Sequence, residues 1–380
     1  MRILVYEFAS GGGLAGRDAA PLLASLSREG AAMRSALVTD LSAIGGHEIV
    51  TTADARVRPD LPAGVEVVIL PAGDRAREAM LDRLIDGVDG VWLIAPETDR
   101  CHERLAARVE RKGKTVLGAC ADAIGRASDK ARLARRLADV GVNCPHTRAL
   151  RRNVDPARAA AAIGYPIVVK PARGAGSQGL GLARGPRDLR RAVDTARRAT
   201  TAGTVVLQQY VRGAAASVSL LANGRDAVAV TVNAQTIAAP PRFSYRGGET
   251  PCDHPAAPRA IAAALDACRA LPGLRGFVGV DVVLTGAGVS VIEVNPRLTT
   301  AYLGVRAAVD ENVAALALAA CAGALPAAPR VRRRVRFTAA GAVVVMENIR
   351  LRPPAAPAFR PAFGRVSRPN GLRDRSVRAF

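Results

Sequence analysis

VIEVNPRLTT, Val291 to Thr300, is the stretch on which the reading of this chain turns. An apolar run reaches Glu293, crosses Val294 to Asn295, and stops at Pro296 and Arg297. Residues two apart in a strand share a face, so Glu293 and Asn295 point the same way. The preceding strand, FVGVDVVL (277–284), carries one acid, Asp281. A three-residue turn at Gly286-Ala287-Gly288 would set Asp281 opposite Glu293, with Cβ atoms about 5 Å apart. A two-residue turn would shift the register by one and lose that pairing. Opposed carboxylates repel unless something neutralises them. Three hard oxygen ligands on one face suit Mg²⁺, which keeps several waters and usually shares its shell with nucleotide phosphates. Arg297, at the strand exit, can meet a phosphate or carboxylate bidentately. The bland alternative is a solvated sheet face, which the surrounding Val, Ile, Phe and Leu disfavour.

The basic residues sharpen this reading. Only four are lysines, Lys112, Lys114, Lys130 and Lys170, and the rest are arginine. A lysine kept in such a chain suggests a need for a compact, flexible point charge. Lys170 ends the strand YPIVVKPA (165–172), ahead of the glycine loop GAGSQG (174–179). Backbone N–H groups of such a loop can fold over phosphates, although a ligand-free hairpin reads the same way. Lys130 lies in SDKARLARRLADVGV (128–142), a helix for which Ser128 is the expected N-cap and Leu133, Leu137 and Val140 the apolar stripe. A second glycine run, GGGLAG (11–16), follows the first strand. A dinucleotide site wants an acid about 20 residues further on. Asp54 stands 38 residues beyond Gly16, so a nicotinamide cofactor is disfavoured.

Strands at 2–8, 47–52, 66–72, 90–97 and 115–119 alternate with helical spacing through 43 and at 77–86 and 101–113. That alternation predicts a parallel sheet with covered faces over residues 1–120. Further on, strands at 165–172 and 204–211 flank a helix at 186–199. A hairpin turns at Asn223-Gly224 within 217–235, a helix spans 257–271, and a helix over about 305–321 ends the compact part. Residues 326–380 are rich in Pro and Arg, with one expected strand at 341–347.

The chain has 380 residues, 49% hydrophobic, enough for two or three domains with sizeable cores. No apolar run reaches about 18 residues, and MRILVYEFASGGG reads as a first strand, not a signal peptide. Six scattered cysteines without a CxxC pair predict reduced thiols, a cytoplasmic setting and no zinc site. The formal net charge is +21, but residues 326–380 hold thirteen Arg against only Glu347 and Asp374. With aromatics at 3% of the chain, base stacking has little to work with. A nucleic-acid-binding protein using the basic tail is the rival reading. No Ser-His-Asp triad is apparent, and the four histidines lie outside these motifs.

Taken together, SDKARLARRLADVGVNCPHT, YPIVVKPARGAGSQGLG, VVLQQYVRGAAASVSLL and FVGVDVVL with VIEVNPRLTT resemble the ATP-grasp superfamily of carboxylate–amine ligases, over residues 1 to about 325. The resemblance implies a mixed α/β and α+β architecture. A Rossmann-like pre-ATP-grasp domain (1–120) would precede an ATP-grasp domain (121–325) with a lid subdomain at about 145–210. It implies ATP with Mg²⁺ or Mn²⁺, usually two ions, held by Asp281, Glu293 and Asn295. Lys130 and Lys170 would contact phosphates, with Lys170 near the adenine too. Gly174, Gly176, Ser177 and Gly179 would belong to the flexible lid (174–181). Gln209, Tyr210 and Val211 would form the adenine hinge, and Arg297 would steady an acyl phosphate or the acceptor carboxylate. Many relatives carry an acid for the ribose just after the hinge, where this chain has Ala214-Ala215-Ala216.

ILVYEFASGGG and LIAPETDR (93–100) are similar to the branch containing archaeal tyramine–L-glutamate ligases of methanofuran synthesis. The implied substrates are L-glutamate with tyramine or tyrosine, giving a γ-glutamyl amide, ADP and phosphate. A ligase for other amino acids is the alternative within the superfamily. The implied partners are small-molecule carboxylate and amine, with a homodimer allowed and no specific nucleic acid or membrane. Tyr302, Arg306 and the loop Ser10 to Gly13 are expected to border the acceptor site.

Overall fold

The computed structural model describes residues 1–15, 21–56, 59–201, 203–238 and 243–349, with backbone alone for 21–23. Five parallel strands open the chain: β1 (Arg2–Glu7), β2 (Glu48–Asp54), β3 (Glu66–Leu70), β4 (Gly90–Ile94) and β5 (Thr115–Val116), in the order β3-β2-β1-β4-β5. They connect through α1 (Pro21–Ile44), α2 (Asp74–Asp86) and α3 (Cys101–Arg111). β1 and β4 are buried on both faces, which accounts for their unbroken apolar runs.

Two short helices follow, α4 (Ala121–Ser128) and α5 (Lys130–Asp139). Asp129, not Ser128, caps α5 by accepting from the Arg132 amide, while the Ser128 hydroxyl donates back to the Ile124 carbonyl at the end of α4. Leu133 and Leu137 are buried as expected, but Val140 is exposed. A four-stranded antiparallel sheet comes next: β6 (Thr147–Leu150), β7 (Ile167–Pro171), β8 (Gly181–Ala183) and β9 (Val205–Gln209), in the order β6-β9-β7-β8. Its helices are α6 (Pro156–Ala161) and α7 (Pro186–Arg198).

The largest sheet has seven antiparallel strands: β10 (Ala214–Asn223), β11 (Ala227–Ala238), β12 (Ser244–Thr250), β13 (Arg275–Leu284), β14 (Val289–Asn295), β15 (Arg333–Thr338) and β16 (Val343–Asn348). Their order is β14-β13-β10-β11-β12-β15-β16. Helix α8 (Ala257–Arg269) covers one face, packing with Val218, Leu220, Val278, Val280 and Val282. On the other face, α10 (Val313–Cys321) packs with Leu221 and Phe277. The single helix expected over 305–321 is two, because α9 (Ala301–Ala308) stops and Asn312 caps α10 through the Ala315 amide.

The basic segment holds two strands where one is expected. β15 is the unforeseen one: it pairs with β12, buries Val335 and Phe337, and lays the Phe337 ring against Gly304 of α9. The part of that segment beyond Ile349 lies outside the described residues, as do Gly16 and the end of the GGGLAG run. No helix among the described residues is long and apolar enough to cross a membrane.

Candidate active site

The hairpin β13–β14 turns on two residues, Gly286-Ala287, closed by reciprocal hydrogen bonds between Thr285 and Gly288. That turn alone would separate Asp281 from Glu293. A β-bulge restores them: Val282 pairs with Val291, whereas Asp281 pairs with Glu293 and Gly279 with Asn295, leaving Ile292 as the extra residue. The bulge also reverses the side-chain alternation. Val289 and Val291 join the α8 core, and so does Val294, so Glu293 and Asn295 face away from it together with Asp281.

Asp281 accepts hydrogen bonds from two carboxamides, Gln235 Nε2 of β11 at 2.8 Å and Asn295 Nδ2 at 3.0 Å. Burial and the facing Glu293 nevertheless push its carboxyl up to about 6. Glu293 is answered from α5: Lys130 Nζ lies 3.0 Å from its Oε1 and donates to the Gly174 carbonyl at 2.9 Å. Lys170, buried on β7, is lowered to about 8 by burial, with Lys130 adding to the shift and Glu293 and Asp281 opposing it. Two buried lysines and two carboxylates therefore cluster where β7 of the four-stranded sheet comes close to β13 and β14 of the seven-stranded sheet.

This donor set fits a hard divalent cation. The carboxylates are forced together on adjoining strands and balanced only in part, and oxygen ligands with room for phosphate are what magnesium takes. Among the described residues no trio of His, Cys, Asp or Glu side chains could enclose a metal on its own, so the remaining ligands would be water and phosphate.

The glycine loop between β7 and β8 carries left-handed backbone at Gly176, Ser177 and Gly179. Its Gly176 lies against Leu26 of α1. Arg173, at its start, is tied to Glu103 and to the Gly125 carbonyl. At the end of β9, Gln209 and Tyr210 donate their amides to the His146 and Pro166 carbonyls. Because Ile167 pairs with Gln209 and Lys170 with Val206, this bend lies about 10 Å along the sheet from Lys170. Ala214 to Ala216 begin β10 opposite Leu284 to Val282, with no acid among them.

Arg297 is not free. Its Nε and Nη2 grip Glu97 at 2.8 and 3.1 Å, and Nη1 donates to the Leu298 carbonyl. Glu97 is 2% exposed. Burial pushes its carboxyl up, but Arg297's charge and hydrogen bonds outweigh that and hold it below the ordinary value. Next to it His102 is buried, with Nδ1 unpartnered among the described residues, and burial holds it down at about 4. Glu97 lies in LIAPETDR, a segment quoted for family resemblance and given no role. Its signal was the acid after Ala95-Pro96, just past the carboxyl end of a parallel strand, where ligands gather.

Past Arg297 opens a cavity of about 1050 Å³, lined by residues after β1 and β4, by α1 and by the glycine loop. Asp99, which lines it, and Arg100 next in the chain have left-handed backbone, and Asp99 Oδ1 accepts from Thr200 Oγ1 and the Thr201 amide, both at 3.2 Å. Ser10 to Gly13 belong to a tight turn over Ala9–Gly13, whose Ala9 and Ser10 amides donate to the buried Glu7 carboxylate. Gly13 reaches the cavity wall. Tyr302 and Arg306, expected at the acceptor site, are elsewhere. Both bind Asp40, and the Tyr302 ring sits in the core, edge-on to Phe277 at 5.6 Å.

Residues 47–124 match the pre ATP-grasp 3 domain and residues 127–301 the ATP-grasp domain. Over 90 residues the chain is 34% identical to tyramine–L-glutamate ligase of Methanocaldococcus jannaschii, a stretch that is 24% of this chain and 28% of that protein. Its fold is similar to that of a protein from Archaeoglobus fulgidus described as of the ATP-grasp superfamily, with TM-score 0.64 and 24% identity, covering 88% of this chain and 92% of that one. It is also similar to an L-amino acid ligase from Bacillus licheniformis, with TM-score 0.65, 15% identity and coverage of 88% and 78%.

Proposed function

With the chain in the ATP-grasp superfamily, a pre-ATP-grasp domain ahead of its ATP-grasp domain, we propose that it is an ATP-dependent carboxylate–amine ligase working through an acyl phosphate. One observation carries this reading. The buried pair Lys130 and Lys170, facing Asp281 and Glu293, adjoins through Arg297 a cavity of about 1050 Å³ that can hold substrates. A nucleotide's phosphates and a reactive small molecule thus have neighbouring places.

In this reading a substrate carboxylate oxygen attacks the γ-phosphorus of ATP. The bond to the β–γ bridging oxygen breaks, and ADP leaves. The amine nitrogen then attacks the acyl carbon, phosphate departs with the electrons of the C–O bond, and the nitrogen loses a proton. Lys130 and Lys170 hold phosphate oxygens, and the carbonyls of Gln209, Tyr210 and Val211 meet the adenine. Asp281, Glu293 and Asn295 would hold magnesium or manganese, which supplies charge neutralisation to the phosphates when bound. Arg297, aligned by Glu97, steadies the transferred phosphoryl group. The loop at 174–181 excludes water from the acyl phosphate, which hydrolysis would destroy.

The finer reading takes L-glutamate as the carboxylate and tyramine or tyrosine as the amine, for a methanofuran-type cofactor. Its support is the 34% identity to tyramine–L-glutamate ligase over 90 residues. The test is ADP release from Mg-ATP with L-glutamate and a panel of amines that includes tyramine and tyrosine. Release that requires both glutamate and one aromatic amine supports the whole reading. Release with another pair keeps the chemistry and moves the substrates, and no release with any pair rejects the ligase.

A further inference from the structure

Resting on the ligase reading above, we propose that one face of α1 is the amine subsite, with Glu29 as the group that binds the substrate's ammonium. Leu26, Glu29 and Met33 are spaced at three and four residues, so they share one face of the helix. All three line the cavity past Arg297. The Glu29 carboxylate is fixed there by the Thr300 hydroxyl, which donates to it from the end of the NPRLTT run. It also lies close enough to raise the pKa of Arg297, though it has no ion-pair contact with it. Glu29 therefore stands beside the place where the acyl phosphate would form, with charge to spare for a cation.

Apolar side chains flank Glu29, and the buried Glu7 carboxylate also lines the cavity. The Phe8 ring lies against the backbone of Gly13, where a Cβ would come within 2.5 Å of the ring, and Phe8 also lines the cavity. Gly30 serves the same close fit from α1, since a Cβ there would meet the Glu7 carboxylate at 2.3 Å. Phe8, Leu26 and Met33 thus form an apolar wall beside Glu29, while the Glu7 carboxylate is already held by the Ala9 and Ser10 amides and the Ser10 hydroxyl. The ligand class this selects is a primary amine, cationic at one end, with an apolar body of aromatic size. An amine bearing its own carboxylate at that end would meet Glu29 as a like charge. The site thus prefers an amine to the corresponding amino acid.

Two measurements separate this proposal from the ligase reading. In the first, tyramine is titrated calorimetrically into the wild-type chain and into Glu29→Gln. Binding by the wild type that weakens tenfold or more in the variant supports the subsite. No wild-type binding, or equal binding by both, overturns it. In the second, hydroxylamine, uncharged near neutral pH, replaces the amine and hydroxamate is measured with L-glutamate and Mg-ATP. If the wild type binds tyramine but forms no hydroxamate, the ligase reading fails while the subsite stands. If both reactions run, Glu29→Gln should lose at least tenfold more with tyramine than with hydroxylamine, and equal losses overturn the assignment. Should Glu29→Gln fail to fold, Met33→Ala leaves the carboxylate in place and must weaken tyramine more than methylamine; an equal effect on both rejects the apolar wall.

Discussion

Replacing Glu97 by Gln keeps the shape and removes one charge. Arg297 then stays buried, its guanidinium facing an amide whose NH₂ repels it, where a bidentate carboxylate stood at 2.8 and 3.1 Å. Breaking a buried pair by removing one partner costs about 3–5 kcal/mol. At roughly 2 °C per kcal/mol for a unit of this size, the melting temperature should fall by roughly 6–10 °C. The stranded guanidinium should also welcome any oxyanion. Saturating inorganic phosphate should therefore recover more of the loss in the variant than it adds to the wild type. ADP release should drop tenfold or more, because the arginine keeps its charge but loses its alignment. The assay is thermal unfolding of both proteins with and without phosphate, beside steady-state turnover. A fall of under about 2 °C, or equal phosphate shifts in the two proteins, would refute the claim that Glu97 holds Arg297.

Glu293→Gln should reduce Mg-dependent ADP release by about a hundredfold or more while the fold stays intact, since an acceptor oxygen and the shape remain; a magnesium titration with full activity would remove Glu293 from the metal set. His102 gives a pH dependence. Its folded value, held down at about 4, lies below the ordinary value near 6.5, so the unfolded chain binds more protons between those pH values and stability falls as pH drops through them. From pH 8 to pH 5 the loss should be about 2 kcal/mol; urea unfolding of His102→Gln should show that part of the slope missing, and an unchanged slope would clear His102. Phe337→Ala should cost about 3–5 kcal/mol, since its ring fills the space over Gly304; a denaturant midpoint near wild type would mean that β15 adds little.

The parallel sheet was legible because its buried strands are continuous apolar runs. The carboxylate pair was legible because Asp281 and Glu293 interrupt such runs. The way they meet was not. A two-residue turn and a bulge at Ile292 cancel each other, and nothing in the local residues marks the bulge. Glu97 and Gln235 escaped notice because each acts on a residue far away in the chain, Arg297 and Asp281. The glycines after β1 match a dinucleotide fingerprint only in part, and their use is local: Gly13 admits the Phe8 ring. Tyr302 and Arg306 stood close to the motif in sequence, but helix α9 turns them onto Asp40. β15 was hidden by its three arginines, whose long stems let alternate Val335 and Phe337 face inward.

The contact of Asp99 with Thr200 and Thr201 has a consequence for tempo. The acceptor stands on the loop after β4 and the donors just past α7, so the glycine loop's own subdomain is fastened across the cavity mouth. Two partly exposed hydrogen bonds to a carboxylate are worth about 1 kcal/mol each. Together they shift the balance roughly 30-fold toward the fastened form. Nucleotide would then enter only the unfastened form, and ADP would wait for that form to leave. Asp99→Ala should speed both arrival and departure, turning a residue that touches no phosphate into the clock of the cycle.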